Sequence, residues 1–378
     1  MSSAFSLSRA AAIMRKEFTQ MRRDRLTFAM MIGVPLMQIL LFGFAINTDP
    51  RHLPTMIEMG DDGPATRAIL YGLENSGFFD IKGRVSGPEA ADTAIVRGEA
   101  LFVVTVPQNF ERDLARGERP QLLLDADATD PVATAAATGA FAQIVASALA
   151  PLIEGTSVEN PASLSAVETV VHRRYNPAGR TAVNVVPGLL GIMLTMTMTL
   201  MTSIALTRET ERGTMETLLA SPARPAEVML GKIAPFVLVG LVQTTLMLSL
   251  AYLLFAVPFS GAGITFAVGL GLFILVNLSI GFFFSTLARN QMQAMQMTFF
   301  FFLPSVLLSG FMFPFAGMPG WAQRIGLALP NTHFIKIVRA VMLKGAETTD
   351  VTGPLLALAA ILAVVATLAV LRYRRTLD

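Results

Sequence analysis

Asp125, Asp127 and Asp130 stand together in the run "DADATD", and closely spaced carboxylates can hold calcium. An EF-hand loop also needs its glycine and a closing bidentate glutamate, and neither is present. The plainer role is a strand-to-helix turn in which Asp or Thr caps the helix that follows. His52, His172 and His333 lie far apart, the chain has no cysteine, and the ligand spacing of a zinc site is missing. Gly231-Lys232 is the one Gly-Lys pair. Ala226 stands where a P-loop begins with glycine, and Ile233 where Ser or Thr would bind magnesium. No Ser/His/Asp set occurs. The chain is therefore not expected to be an enzyme or to hold a metal or cofactor of its own.

Charge chemistry is concentrated elsewhere. The segment "LTRETERGTMETLLASPARPAEVMLGKIAP", residues 206–235, carries four basic and four acidic residues between two apolar runs. A charge at the bilayer centre costs about 2.5–3.5 kcal/mol, so eight would cost roughly 20 or more. The segment must sit in water or against another protein. Met215, Leu218 and Leu219 recur at i, i+3 and i+4, the spacing of a helix face. Glu209, Arg212 and Glu216 are neighbours on the polar side. Ser221-Pro222 stops that helix, and Pro225 followed by Glu227 starts another. Two roles stay open on the pattern alone: a solvated loop with local ion pairs, or a docking element that a cytoplasmic partner grips.

What positions this segment is a membrane protein. Hydrophobic residues make up 53% of the chain, the mean hydropathy is +0.57, and several uncharged runs match the hydrocarbon thickness of a bilayer. Six spans are predicted, at about 26–46, 183–206, 233–257, 264–287, 297–315 and 354–371. The first suits a retained signal anchor, since it lacks a clear small-residue cleavage site. No Asp, Glu, Lys, Arg or His falls well inside any span, which argues against an ion-coupled transporter. The polar residues there are neutral: Gln38, Thr195, Thr197, Thr199, Gln243, Asn277 and Ser279. They can bond between helices or line a substrate path.

Orientation follows from Lys and Arg. The N-terminal tail holds Arg9, Arg15, Lys16, Arg22, Arg23 and Arg25, and the C-terminal tail Arg372, Arg374 and Arg375. Six spans put both termini on one side, and the positive-inside bias makes that side cytoplasmic. The segments assigned to the cytoplasm then sum to +7 and the exported ones to −5, against a net +2. Residues 318–353 dissent, with Arg324, Lys336, Arg339 and Lys344 against Glu347 and Asp350.

Residues 47–182, between the first two spans, are polar and long enough for an extracytoplasmic domain. Strands are legible in "LPTMIEM", "FFDIKGRV", "ALFVVTV" and "PQLLLDA", and helices in "PATRAILYGLENSG", "GPEAADTAIVRGE" and, opened by Pro107, "PQNFERDLARGE". A long alanine-rich helix follows over 131–153, then a looser linker. The expected fold class is thus a mainly α membrane protein with an α/β domain inserted between spans one and two.

Two amphipathic elements flank the spans. In "SRAAAIMRKEFTQMRRDR", which also holds Lys16 and Glu17, Ile13, Phe18 and Met21 form a rough apolar side opposite Arg15, Arg22 and Arg23. That pattern fits an interfacial anchor. Near 318–345, Phe334, Ile337, Val338, Val341 and Met342 form one helical face with Lys336, Arg339 and Lys344 on the other. Pro314, Pro319, Trp321 and Pro330 lead into it, and Trp321 suits a membrane interface. Short helices dipping back from the outer surface are expected, their basic side facing headgroups or an acidic outer domain.

The run Glu211, Arg212, Gly213 and Thr214, followed by Glu216, Leu218, Pro222, Glu227 and Gly231-Lys232, resembles the cytoplasmic segment of type-2 ATP-binding-cassette exporter permeases. "RRYNP" with "VPGLLGIM", "LSGFMFPFAGMPGW" and "LPNTHFIKIVRAVMLKG" are similar to other stretches of that family. The domain between spans one and two resembles its YhhJ/YbhS-like, multidrug-type subgroup. The resemblance implies a half-transporter of the bacterial inner membrane. It pairs with a second permease, identical or related, over cytoplasmic ATPase subunits that use ATP and magnesium. A coupling helix at about 208–221, with Glu209, Glu211, Arg212, Gly213, Thr214, Met215, Glu216 and Leu218, would seat on the ATPase, and the N-terminal helix would lie nearby. A periplasmic membrane-fusion adaptor is compatible with it, and no nucleic acid is expected. The rival within this frame is a mechanotransmitter that moves its outer domain without passing substrate.

Overall fold

The computed structural model describes residues 51–153, 167–211 and 225–375. The N-terminal helix and first span expected over 1–46 lie outside the described residues, as do residues 212–224 of the charged segment.

The first part is a sheet with helices on it. Strands β1 (Leu53–Met59), β2 (Phe79–Val85), β3 (Phe102–Val106) and β4 (Gln121–Asp127) alternate with helices α1 (Pro64–Asn75), α2 (Pro88–Val96) and α3 (Phe110–Ala115). Helix α4 (Pro131–Ile153) then crosses over to strand β5 (Glu168–Arg174). The sheet order is β2-β1-β3-β4-β5, parallel except for the β3–β4 pair. Leu53, Thr55 and Ile57 point inward from β1, the period of two that a half-covered strand needs. Phe79 sits edge-on to Phe102 and Phe141, with centroids 5.7 and 6.1 Å apart.

Two details differ from the sequence reading. The stretch "ETVVHRR", expected within a linker, is β5, paired in parallel with β4. The helix expected to open at Pro107 starts at Phe110, after Asn109 in the left-handed region at φ 64°.

Helix α4 is long and apolar enough to cross a membrane by length and composition. Its Ala133, Ala137, Phe141, Val145 and Leu149 recur every four residues and are buried in the core beneath the sheet. Against α1 it packs closely, since a Cβ on Gly72 would meet the Cβ of Ala148 at 3.0 Å.

The second part is helical: α5 (Thr181–Glu211), α6 (Pro225–Phe255), α7 (Gly263–Leu287), α8 (Gln291–Leu307), α9 (Gly320–Leu327), α10 (Pro330–Lys344) and α11 (Thr352–Arg375). With α4, helices α5, α6, α7 and α11 make five among the described residues that are able to span a bilayer. Helix α7 is their centre: Phe273, Ile274, Val276, Asn277 and Leu278 are fully enclosed, and Phe273 stacks on Phe334 of α10 at 4.0 Å. Helix α6 instead turns Leu238, Val242, Leu246, Leu253 and Leu254 outward.

Helix α8 departs from the run expected over 297–315. It begins at Gln291 because the Asn290 side chain accepts the Gln293 N–H, and it ends at Leu307, shortly before Gly310 at φ 83°. A short 3-10 turn (Phe315–Gly317) then leads to α9 and α10.

Candidate functional site

The charged segment leaves the helices at the C-terminus of α5. Glu211, its last residue, is exposed, and its carboxylate accepts the backbone N–H of Gln291 at 2.7 Å and the Gln291 side-chain amide at 2.5 Å. The last turn of α5 is thereby clipped to the first turn of α8. Glu209 lies in the same turn of α5, and its side chain is outside the described ones. Arg212, Gly213, Thr214, Met215, Glu216 and Leu218 lie outside the described residues, as do Arg15, Lys16, Glu17, Arg22 and Arg23.

Above this clip the neutral polar side chains join helices. Gln243 Nε2 donates to Thr197 Oγ1 at 3.2 Å, joining α6 to α5. Thr199 Oγ1 is 3.4 Å from both oxygens of Asn277, joining α5 to α7. Ser203 and Thr298 hydroxyls, on α5 and α8, are 3.2 Å apart. Ser279 bonds back to its own helix at Leu275. The hydroxyls of Thr195 and Thr202 are buried on α5 without a hydrogen-bond partner among the described residues.

At the other end of α10 the sheet and helices are joined by charge. Lys344 Nζ reaches Asp127 Oδ2 at 2.5 Å and the carbonyl of Ile95 at 2.9 Å, with both side chains of the ion pair almost wholly buried. Arg97 pairs with Asp350 at 3.0 Å. Arg339 Nη1 donates to the carbonyl of Gly310 at 3.1 Å, and the Lys336 ammonium lies 4.8 Å from the Phe315 ring centroid. So α10 buries Phe334, Ile337, Val338, Val341 and Met342 among the helices. Its basic residues turn toward the sheet and the 3-10 turn, and Lys344 meets an acidic residue of the sheet. Pro314 and Pro319 flank the 3-10 turn, Pro330 is the first residue of α10, and Trp321 on α9 is 42% exposed.

The "DADATD" carboxylates have partners within the chain. Asp125 receives Arg174 through Nε at 2.9 Å and lies 2.7 Å from His172 Nδ1. The hydrogen bond to Asp125 raises the Arg174 pKa further, and burial raises that of Tyr175. Asp127 also accepts from the N–H and hydroxyl of Thr129, and Asp130 caps α4 by accepting the Ala133 N–H at 3.2 Å. Gln291 and Arg97 were not singled out from sequence, and Asp127 and Asp350 were noted there without these partners. Their partners lie 80 to 253 positions away, so no local pattern announces these contacts.

Residues 25–371 match the family described as ABC-2 family transporter protein. The chain belongs to that family. Relatives of this ABC-2 chain include the probable multidrug ABC transporter permease YbhR of Escherichia coli (strain K12), 29% identical over 363 residues covering 96% of this chain and 97% of that protein. The inner membrane transport permease YhhJ of the same organism is 32% identical over 293 residues, 76% of each chain. The probable multidrug ABC transporter permease YbhS is 26% identical over 344 residues, 90% of each. No solved structure matches the chain. An ABC-2 chain with these apolar helices is a membrane permease.

Proposed function

We propose that this chain is the permease subunit of an ATP-driven exporter in the bacterial inner membrane. It has six spans, cytoplasmic termini and an outer α/β domain between spans one and two. Two such permeases form the path over ATPase subunits that hydrolyse ATP with magnesium. The residues from Glu209 to Leu218 seat on the ATPase, and α9 and α10 form the outer re-entrant element at the exit. The substrate is a drug-like, lipid-like or other amphipathic molecule, a reading supported by the multidrug names of YbhR and YbhS.

The observation that carries this reading is the clip between Glu211 and Gln291. A loop gripped from outside moves a permease only if its ends are fixed to helices. Here the loop's first end holds two of them, and the buried polar pairs Thr199–Asn277 and Ser203–Thr298 continue the connection along α5.

The test is co-purification with an ATPase subunit encoded nearby, followed by measurement of permease-stimulated ATP hydrolysis. Glu216→Lys reverses a charge in the docking segment and should abolish stimulation or assembly. Unchanged coupling would remove the assignment.

A further inference from the structure

Between the sheet and α10 lies a cavity of about 420 Å³. Two of the ion pairs on its wall are closed, Arg97 with Asp350 and Lys344 with Asp127. Three ionisable groups remain: Asp130, Lys336 and Arg339. Asp130 already accepts the Ala133 N–H as a helix cap; burial raises its pKa, and the charge of Arg339 opposes that shift. Arg339 donates through Nη1 to Gly310, while its Nε is buried with no hydrogen-bond partner among the described residues. Lys336, whose pKa burial lowers, has the Phe315 ring near its ammonium and, among the described residues, no hydrogen-bond acceptor. Lys336 and Arg339 are three residues apart on α10, so they are neighbours on one helix face. The cavity therefore sets two basic side chains against one carboxylate, and its wall holds a buried donor with no partner among the described residues.

Its other walls are apolar, with Leu101, Phe315, Ile335, Val351 and Pro354. A cation would be repelled by Lys336 and Arg339. A purely apolar guest would leave Arg339 Nε unpaired, and a bare anion would leave the apolar walls unfilled. The volume lies within the range of small-molecule sites.

We propose that this cavity binds the anionic group of an amphipathic molecule. A carboxylate or phosphate would bridge the Lys336 ammonium and the Arg339 guanidinium, and the apolar body would lie along Phe315, Ile335 and Val351. The site stands on its own geometry and requires no ATPase.

The full chain in phosphatidylcholine nanodiscs would be titrated calorimetrically with hexyl phosphate, inorganic phosphate and hexyltrimethylammonium. Hexyl phosphate should bind saturably, inorganic phosphate more weakly, and the ammonium compound without saturation. Lys336→Gln removes a charge that holds no hydrogen bond in the fold, and should weaken hexyl phosphate by about tenfold. Arg339→Lys keeps the charge but deletes Nε, and should weaken it as well. In phosphatidylglycerol nanodiscs, lost binding identifies a lipid headgroup as the natural occupant, and retained binding a non-lipid anion. The proposal is overturned if hexyl phosphate does not saturate, if Lys336→Gln binds it as the native chain does, or if the ammonium compound saturates equally.

Discussion

The carboxylate of Glu211 holds both nitrogens of Gln291, backbone and side chain, so that α5 and α8 share one terminus. The contact is exposed, and exposed hydrogen bonds contribute about 1 kcal/mol or less to stability. Its effect should therefore appear in coupling rather than in folding. Gln291→Ala is expected to leave the melting temperature within a few degrees of native. Permease-stimulated ATP hydrolysis should fall several-fold in the purified complex. Full stimulation would show that α8 does not receive the motion of the charged segment.

Lys344 and Asp127 make the opposite kind of pair, because both side chains are almost fully enclosed. Removing one partner of such a pair leaves a buried charge uncompensated and costs about 3–5 kcal/mol. Lys344→Ala should lower the melting temperature strongly. Lys344→Met combined with Asp127→Asn should cost less than the two single changes added together. Additive losses would mean that the two groups do not interact.

How legible this was in sequence depends on range. Strands β1 to β4 announce themselves through local pattern, as does α10, whose apolar residues at i, i+3 and i+4 are the ones buried. Strand β5 does not, since "ETVVHRR" has only two β-branched apolar residues amid charge, and its partner β4 is reached through the whole length of α4. Helix α8 begins and ends earlier than the run expected over 297–315, because the cap from Asn290 starts a first turn at Gln291 and the chain turns at Gly310. The basic side of α10 was visible, but its partner Asp127 lies 217 positions away, and no periodicity encodes that contact.

Gly281 marks a close approach of α5 and α7. A Cβ there would stand 2.6 Å from the carbonyl oxygen of Thr199 and 2.9 Å from the Cβ of Thr202. Backbone cannot yield as a side chain can, so Gly281→Ala should force the helices apart. Overpacking of this kind costs about 1–3 kcal/mol, and here it also strains the Thr199–Asn277 contact. Gly271, on the same helix, has open space at its Cβ position. Gly271→Ala should be neutral or slightly stabilising, since alanine favours helix over glycine by about 1 kcal/mol. Thermal unfolding of the two variants side by side checks this, and equal melting temperatures would contradict the close approach.

His333 gives the fold a pH dependence whose sign can be stated. Its Nε2 lies 2.8 Å from the carbonyl of Leu327, so the neutral ring with a proton on Nε2 donates there. Burial is the largest influence and lowers its pKa below the ordinary 6.5, with the charge of Lys336 acting in the same direction and the Leu327 bond opposing. The unfolded chain then binds a proton near pH 6.5 that the folded chain refuses. This group's contribution is complete above about pH 6.5 and declines as the pH drops below it. Between pH 7.5 and 5.5 the native protein should lose more thermal stability than His333→Gln, which cannot take up the proton. An identical loss in both proteins would show that His333 is not held neutral by its surroundings.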